Sequence, residues 1–176
     1  MTDAFSKYSL WLLPSAHQQL ELTGLVSSLA VRFNTQAFIP HLTIQGDLAM
    51  SLDSVSHAAK LIAASWSPQS WRVTAIEGSE HFFRSLYLRF NESPAYVGGK
   101  AMMRSASGCE DGLSLFPHLS LAYGLGADAK KSAAFSGLTS MIGNEITFDR
   151  VVVARSSKHG PITDWACLAE FAFSAM

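Results

Sequence analysis

Two short runs carry the residues best suited to chemistry: Phe38-Ile39-Pro40-His41-Leu42-Thr43-Ile44, and, nearly half the chain later, Leu115-Phe116-Pro117-His118-Leu119-Ser120-Leu121. Each reads apolar, apolar, Pro, His, Leu, hydroxyl residue, apolar. On a strand, residues i and i+2 share a face, so His41 lies with Thr43 and His118 with Ser120. Two imidazoles and two hydroxyls turned toward one ligand suit phosphodiester hydrolysis without a metal ion. A neutral imidazole takes a proton from an attacking water while an imidazolium opposite protonates the leaving oxygen. The ordinary imidazole pKa, about 6.5, allows both states near neutrality. The hydroxyls would donate to the non-bridging oxygens and stabilise charge in the transition state, and an in-line displacement needs the two imidazoles on opposite sides of phosphorus.

A His-x-Ser/Thr triplet alone is weak evidence in a serine-rich chain with six histidines. Either run by itself reads as a strand with a structural histidine. The matched Pro and Leu around both favour function for the pair. Zinc is disfavoured, because no third ligand stands at a common zinc spacing. A stable phosphohistidine would call for more basic residues nearby. His17, His57, His81 and His159 lack the motif context, and His57 falls off the apolar stripe of its helix.

The elements that must position these residues follow from apolar periodicity. Tyr8 to Leu13 reads as a buried strand closed by Pro14. Ser15 and Gln18 have the spacing of a capping box, and Leu22, Leu25, Val26 and Leu29 form one helix face. His41 to Gln45 reads as a strand ending at Gly46-Asp47, and residues 51–65 as a helix bearing Val55, Ala58, Ala59 and Ile62. Trp71 to Ile76 and Phe82 to Phe90 read as strands, the second alternating along its whole length. Residues 94–105 and 128–141 have helical character, with Gly98-Gly99 and Gly137 as weak points. Residues 105–112, polar and glycine-containing, read as a mobile loop. His118 to Tyr123, Ile146 to Ala154 and Trp165 to Phe173 complete the strands, the last two joined by a turn at His159-Gly160-Pro161.

Composition bounds the partners. Hydrophobic residues make up 48% and charged residues 15% of the 176, as expected of one globular domain over residues 1–176. The N-terminal residues lack a secretory pattern, and no apolar run is long enough to span a membrane. Cys109 and Cys167 give no metal-binding spacing. A cytoplasmic, monomeric protein is the expectation. The formal net charge of −1 favours a small anionic ligand over a long nucleic acid.

At this point the chain resembles a known family. The two motifs, His41-Leu42-Thr43 and His118-Leu119-Ser120, are those of the two-histidine (2H) phosphoesterases. Ser9 to Pro14, Phe38 to Leu48, Phe82 to Leu88, Pro117 to Tyr123 and Thr163-Asp164-Trp165 look most like plant and yeast cyclic phosphodiesterases. The resemblance implies a bilobal, pseudo-twofold α+β fold, with two antiparallel sheets facing across a central cleft and helices outside. It implies hydrolysis of ADP-ribose 1″,2″-cyclic phosphate or of nucleoside 2′,3′-cyclic phosphates to 2′-phosphates, with no cofactor and no metal. Catalysis would fall to His41, Thr43, His118 and Ser120, and the aromatic substrate contact to Tyr123. The extra cysteines of the plant members are missing.

Trp11 and Phe83 are further candidates for substrate contact, Trp11 as a platform for a base. Arg84 and Arg89 could meet a diphosphate, but solvated strand arginines are commoner. An RNA-end enzyme of the 2′-5′ RNA ligase kind, acting on a short RNA, and a non-catalytic nucleotide-binding module are the competing readings.

Overall fold

The computed structural model describes residues 7–129 and 136–174. Among the described residues there are seven strands and four α-helices. They are β1 (Tyr8–Pro14), α1 (Ala16–Phe33), β2 (Leu42–Leu48), α2 (Leu52–Ser65), β3 (Gln69–Gly78), β4 (Leu86–Phe90), α3 (Pro94–Ser107), β5 (His118–Ala122), α4 (Ser136–Thr139), β6 (Glu145–Arg155) and β7 (Ala166–Ala172). All pairings are antiparallel, in the order β1-β2-β5-β4-β3-β6-β7, and β1 pairs again with β6. The chain therefore adopts the α+β fold expected of it.

Its two half-sheets, β2-β1-β6-β7 and β5-β4-β3, are joined into one hydrogen-bonded network rather than separated. Leu42 pairs with Leu119 at one junction, and the first residues of β6 pair with Gln69–Arg72 of β3 at the other. Helices cover the outside, α1 packing on β5 and β1, α2 on β6, β7 and β1, and α3 on β2. The core runs from Leu10, Leu12 and Leu42 through Leu88 and Phe90 to Phe148 and Val151, all buried.

Three local readings need correction, and a fourth lies partly outside the described residues. The capping box at Ser15 does not form. Gln18 instead accepts from the Thr147 N–H at 2.8 Å and donates to the Glu145 carbonyl at 2.8 Å, tying α1 to β6. Phe82–Arg84 is a turn of 3-10 helix, not strand; the Ser85 hydroxyl donates to the carbonyls of His81 and Phe82, local bonding that competes with a ladder. Residues 105–107 end α3, and the segment after them is docked, not free. The buried Gln45 amide donates to the Asp111 carbonyl at 2.7 Å, and the Gly46 N–H donates to the Gly112 carbonyl at 2.8 Å. Of the helix expected over 128–141, residues 130–135 lie outside the described residues, and the rest give the end of a 3-10 turn at Gly126–Asp128 and the short α4.

Gly99 is explained by packing. A methyl there would press on the Trp66 ring, where α3 meets α2.

Candidate active site

The motif strands are adjacent and run in opposite directions. Leu42 and Leu119 pair across the junction and are both fully buried, so the leucine of each motif turns into the core. Strand alternation turns the motif residues on either side of each leucine to the opposite face. The antiparallel sense brings Ser120 toward His41 and His118 toward Thr43. A local twofold thus passes between Leu42 and Leu119, and the repeated run is its sequence trace.

Both histidines are locked in the same way. His41 Nδ1 lies 2.6 Å from the Ile39 carbonyl, and His118 Nδ1 lies 2.9 Å from the Phe116 carbonyl. A carbonyl only accepts, so Nδ1 carries the proton in each and Nε2 is the free ring nitrogen. The flanking proline has a part in this. A residue before proline is held extended, which sets the carbonyls of Ile39 and Phe116 for the imidazole two residues on. The Phe116 carbonyl also accepts from the Ser114 hydroxyl at 2.9 Å.

His41, Thr43, His118 and Ser120 line one cleft of about 270 Å³, with Trp11, Phe83, Tyr123 and Trp165 as its aromatic members. Trp11 stacks on His41 with centroids 3.7 Å apart and planes 14° apart. It is 2% exposed, so it holds the His41 ring rather than offering a face to a base, as the sequence had suggested. Phe83 is half-buried and lies 5.9 Å from Trp165. Tyr123 comes just after β5 ends and before Gly124, at φ +73°, which lets it leave the strand alternation and join the cleft. It stacks on Phe38 at 3.8 Å. Burial holds its phenol well above the usual value, against a hydrogen bond with Ser120 that lowers it.

The hydroxyls are not equivalent. Ser120 donates to the Phe83 carbonyl at 3.1 Å, whereas Thr43 has no hydrogen-bond partner among the described residues and is half-buried in the cleft wall.

Of the two arginines that the sequence offered to a diphosphate, one reaches the cleft, and sequence reasoning missed several other residues there. Arg84 lines the cleft from the 3-10 turn, while Arg89 is set apart by its ion pair with Glu77 at 3.4 Å and by lying 3.7 Å over the Phe116 ring. His81, Lys158, Ser9 and Ser156 also line it. Trp165, part of the resemblance but not assigned a role, sits within about 6 Å of the rings of Trp11, Phe83 and Tyr123. The turn before β4 was the available signal, but Phe82 to Phe90 alternates well enough to pass for strand. Among the described residues, no three His, Cys, Asp or Glu gather as metal ligands would.

Burial pushes the pKa of His41 down to about 4, offset in part by the Ile39 hydrogen bond and reinforced by His118. Burial also brings His118 to about 4, with Arg84, Arg89 and His81 adding to it against the Phe116 bond. Both imidazoles are therefore neutral in the unliganded protein at pH 7. Because the unfolded chain protonates near 6.5 and the folded one near 4, stability falls as pH drops through that window and is unaffected by these groups above it. The loss from His41 approaches roughly 3 kcal/mol; the half-buried His118 adds less. Urea denaturation should show a lower midpoint at pH 4.5 than at pH 7, and a smaller drop in His41→Gln. An unchanged midpoint would mean that His41 is not held neutral.

Comparison with known proteins agrees with this geometry. E. coli LigT complexed with 3′-AMP superposes with a TM-score of 0.61 at 14% identity, over 97% of this chain and 99% of that one. TT0787 of Thermus thermophilus gives 0.61 at 13%, over 95% and 97%, and a protein described as a phosphoesterase gives 0.64 at 11%, over 97% and 100%. At these identities the likeness is one of fold. No curated protein matches by sequence. The family described as cyclic phosphodiesterase-like protein matches residues 7–173. With its paired His-x-Thr and His-x-Ser strands, the chain belongs to that family, among the 2H phosphoesterases.

Proposed function

We propose that the protein hydrolyses a cyclic phosphate on ribose, without a metal ion, using His41 and His118 as the acid–base pair. The observation that carries this is the mirrored lock on Nδ1, which leaves Nε2 of each histidine as the working nitrogen in one cleft. In the reaction, one Nε2 takes a proton from water as the water oxygen bonds to phosphorus. The bond from phosphorus to the 3′ oxygen of a nucleoside 2′,3′-cyclic phosphate breaks, and the other Nε2–H protonates that oxygen to leave a 2′-phosphate. Thr43, with its proton uncommitted, donates to a non-bridging oxygen; Ser120 does so by turning away from the Phe83 carbonyl.

Both imidazoles are neutral before binding, so the acid must gain its proton as the phosphate arrives. The negative charge of the ligand favours an imidazolium beside it. The cleft of about 270 Å³ is near the lower end of small-molecule sites, which favours a nucleotide-sized ligand over a folded RNA. The structures of LigT, which shares the fold, complexed with 3′-AMP, ATP and NADP+ support a nucleotide as the class of ligand.

The test is turnover of adenosine 2′,3′-cyclic phosphate and ADP-ribose 1″,2″-cyclic phosphate in EDTA, with the products identified by phosphorus NMR. Hydrolysis that survives chelation and gives the 2′-phosphate from the nucleotide is expected. Turnover lost on chelation, or a 3′-phosphate product, would overturn the mechanism. Turnover confined to short RNAs with cyclic ends would move the assignment to RNA-end processing.

A further inference from the structure

The twofold that relates the two motifs is not obeyed by the rings around them. His118 meets its aromatic neighbours at a slant, Tyr87 at 5.3 Å with planes 66° apart and Phe116 at 5.1 Å and 55°. His41 instead lies flat on the indole of Trp11, at 3.7 Å and 14°. Trp11 is fixed for this contact from both sides of its strand, pairing with Thr43 of β2 and Val152 of β6. Leu10 and Leu12 beside it are fully buried in the core, so strand alternation leaves the indole on the cleft face. Trp165 stands 5.8 Å away, and Trp11 is almost closed to solvent.

An imidazole that exchanges a proton is cationic for part of every turnover, whether it starts as the base or as the acid. In a buried site that charge needs a partner. Burial and His118 both oppose protonation of His41, and the Ile39 carbonyl favours it. No carboxylate acts on the ring. Asp47, His81, Arg84, Tyr123 and Lys158 line the same cleft, but none of them is among these influences. Phe38 and Trp165 approach the imidazole edge to face, at 6.4 and 6.3 Å. The remaining partner is the face of Trp11. An aromatic face is negative, the indole face attracts a cation most strongly, and the attraction grows where water is excluded.

We propose that Trp11 is a positioning residue for the acid–base step, and that its π face stabilises the imidazolium of His41. It thereby fills the part that a carboxylate plays beside the histidine of a Ser-His-Asp triad. The same contact fixes the plane of the ring while the Ile39 carbonyl fixes its rotation, which aims Nε2 into the cleft. The role in turnover rests on the reaction proposed above, but the stabilisation itself is measured without turnover.

The test replaces Trp11, by site-specific incorporation, with tryptophans bearing one, two and four fluorines. Fluorine drains negative charge from the face and nearly preserves the shape of the ring, so a purely structural role would not respond in order. The first readout is the protonation of His41 by NMR in the complex with adenosine 2′-phosphate, with the resonance assigned against His41→Gln. Its proton affinity should fall in step with the fluorines, to about a tenth at four, the size of one desolvated cation–ring contact. The second is kcat/KM for adenosine 2′,3′-cyclic phosphate, which runs from a neutral His41 to a transition state in which the ring is at least partly charged. It should fall in the same order, by up to about tenfold, and Trp11→Phe, with a weaker face, should lie between the parent and Trp11→Leu. Melting curves establish that each protein is folded. The same fluorinated residues at Trp71, packed in the core against Phe90 and Phe148, should leave both readouts unchanged. A His41 proton affinity that does not move along the series, or a kcat/KM that does not follow it in folded protein, overturns the proposal. If no cyclic phosphate is hydrolysed while the His41 protonation follows the fluorines, the proposed reaction falls and the stabilisation by Trp11 stands.

Discussion

Alanine at either His41 or His118 should lower kcat for a ribose cyclic phosphate by about a hundred- to ten-thousand-fold, the range over which a positioned acid or base accelerates proton transfer. The mirrored geometry makes the expectation symmetric. Each imidazole is held by one backbone carbonyl through Nδ1, at 2.6 and 2.9 Å, and supplies one Nε2. Because the two act as a unit, the double variant should be little worse than the poorer single one. Stability should not be symmetric. His41 is buried under Trp11 with 5% exposure, so His41→Ala opens a cavity, whereas the half-buried His118 can be removed at less cost. Steady-state kinetics beside urea denaturation separates the two effects, and His41→Gln, which fills the space better, controls for the cavity. Rates within a few-fold of the parent in both folded alanine variants would remove the acid–base pair.

Replacing Gly112 with alanine should have the largest effect on the fold of any single methyl group. Gly112 has φ +74°, and a Cβ there would overlap the Gly46 carbonyl oxygen. Gly46 follows Thr43 by three residues and Gly112 precedes His118 by six, so this backbone contact fastens the approaches to both motifs. A left-handed non-glycine residue costs about 1–2 kcal/mol. Losing the hydrogen bond from the Gly46 N–H to the Gly112 carbonyl costs about 1 kcal/mol more, and the overlap must still be relieved. A total of at least about 3 kcal/mol is expected, together with reduced turnover as the cleft wall shifts. Gly108→Ala is the control. Its φ is +69°, but the space around it is open, so it reports the backbone strain alone. Similar urea midpoints for the two variants would mean that the Gly46–Gly112 contact carries no weight.

Much of this was legible in the sequence because it rests on local rules. The apolar stripes of α1 and α2 are short-range features, and Leu22, Val26 and Leu29 in the first and Val55, Ala58, Ala59 and Ile62 in the second are buried. The repeated Pro-His-Leu-hydroxyl run was readable for the same reason, since strand alternation places each leucine in the core and each histidine in the cleft. What was not legible depends on partners far away in the chain. Gln18 fits a capping box but is taken up by β6, 127 and 129 residues away. Trp11 could have met a base, yet the imidazole of His41 occupies its face. Arg84 alternates correctly for a strand, and only the bonding around Ser85 turns Phe82–Arg84 into helix and brings the guanidinium to the cleft.

The position of β1 has a consequence for how the protein is made. This first strand lies between β2, next in the chain, and β6, whose pairing residues run from Phe148 to Arg155. During synthesis one side of β1 has no partner until most of the chain has left the ribosome. Such distant pairings slow folding, because the loop they close must be ordered before the contacts repay it. The cleft inherits the delay, since Trp11 comes from the first strand and Trp165 from just before the last. A nascent chain ending before β6 would carry both histidines and still lack the strand that anchors the support for His41.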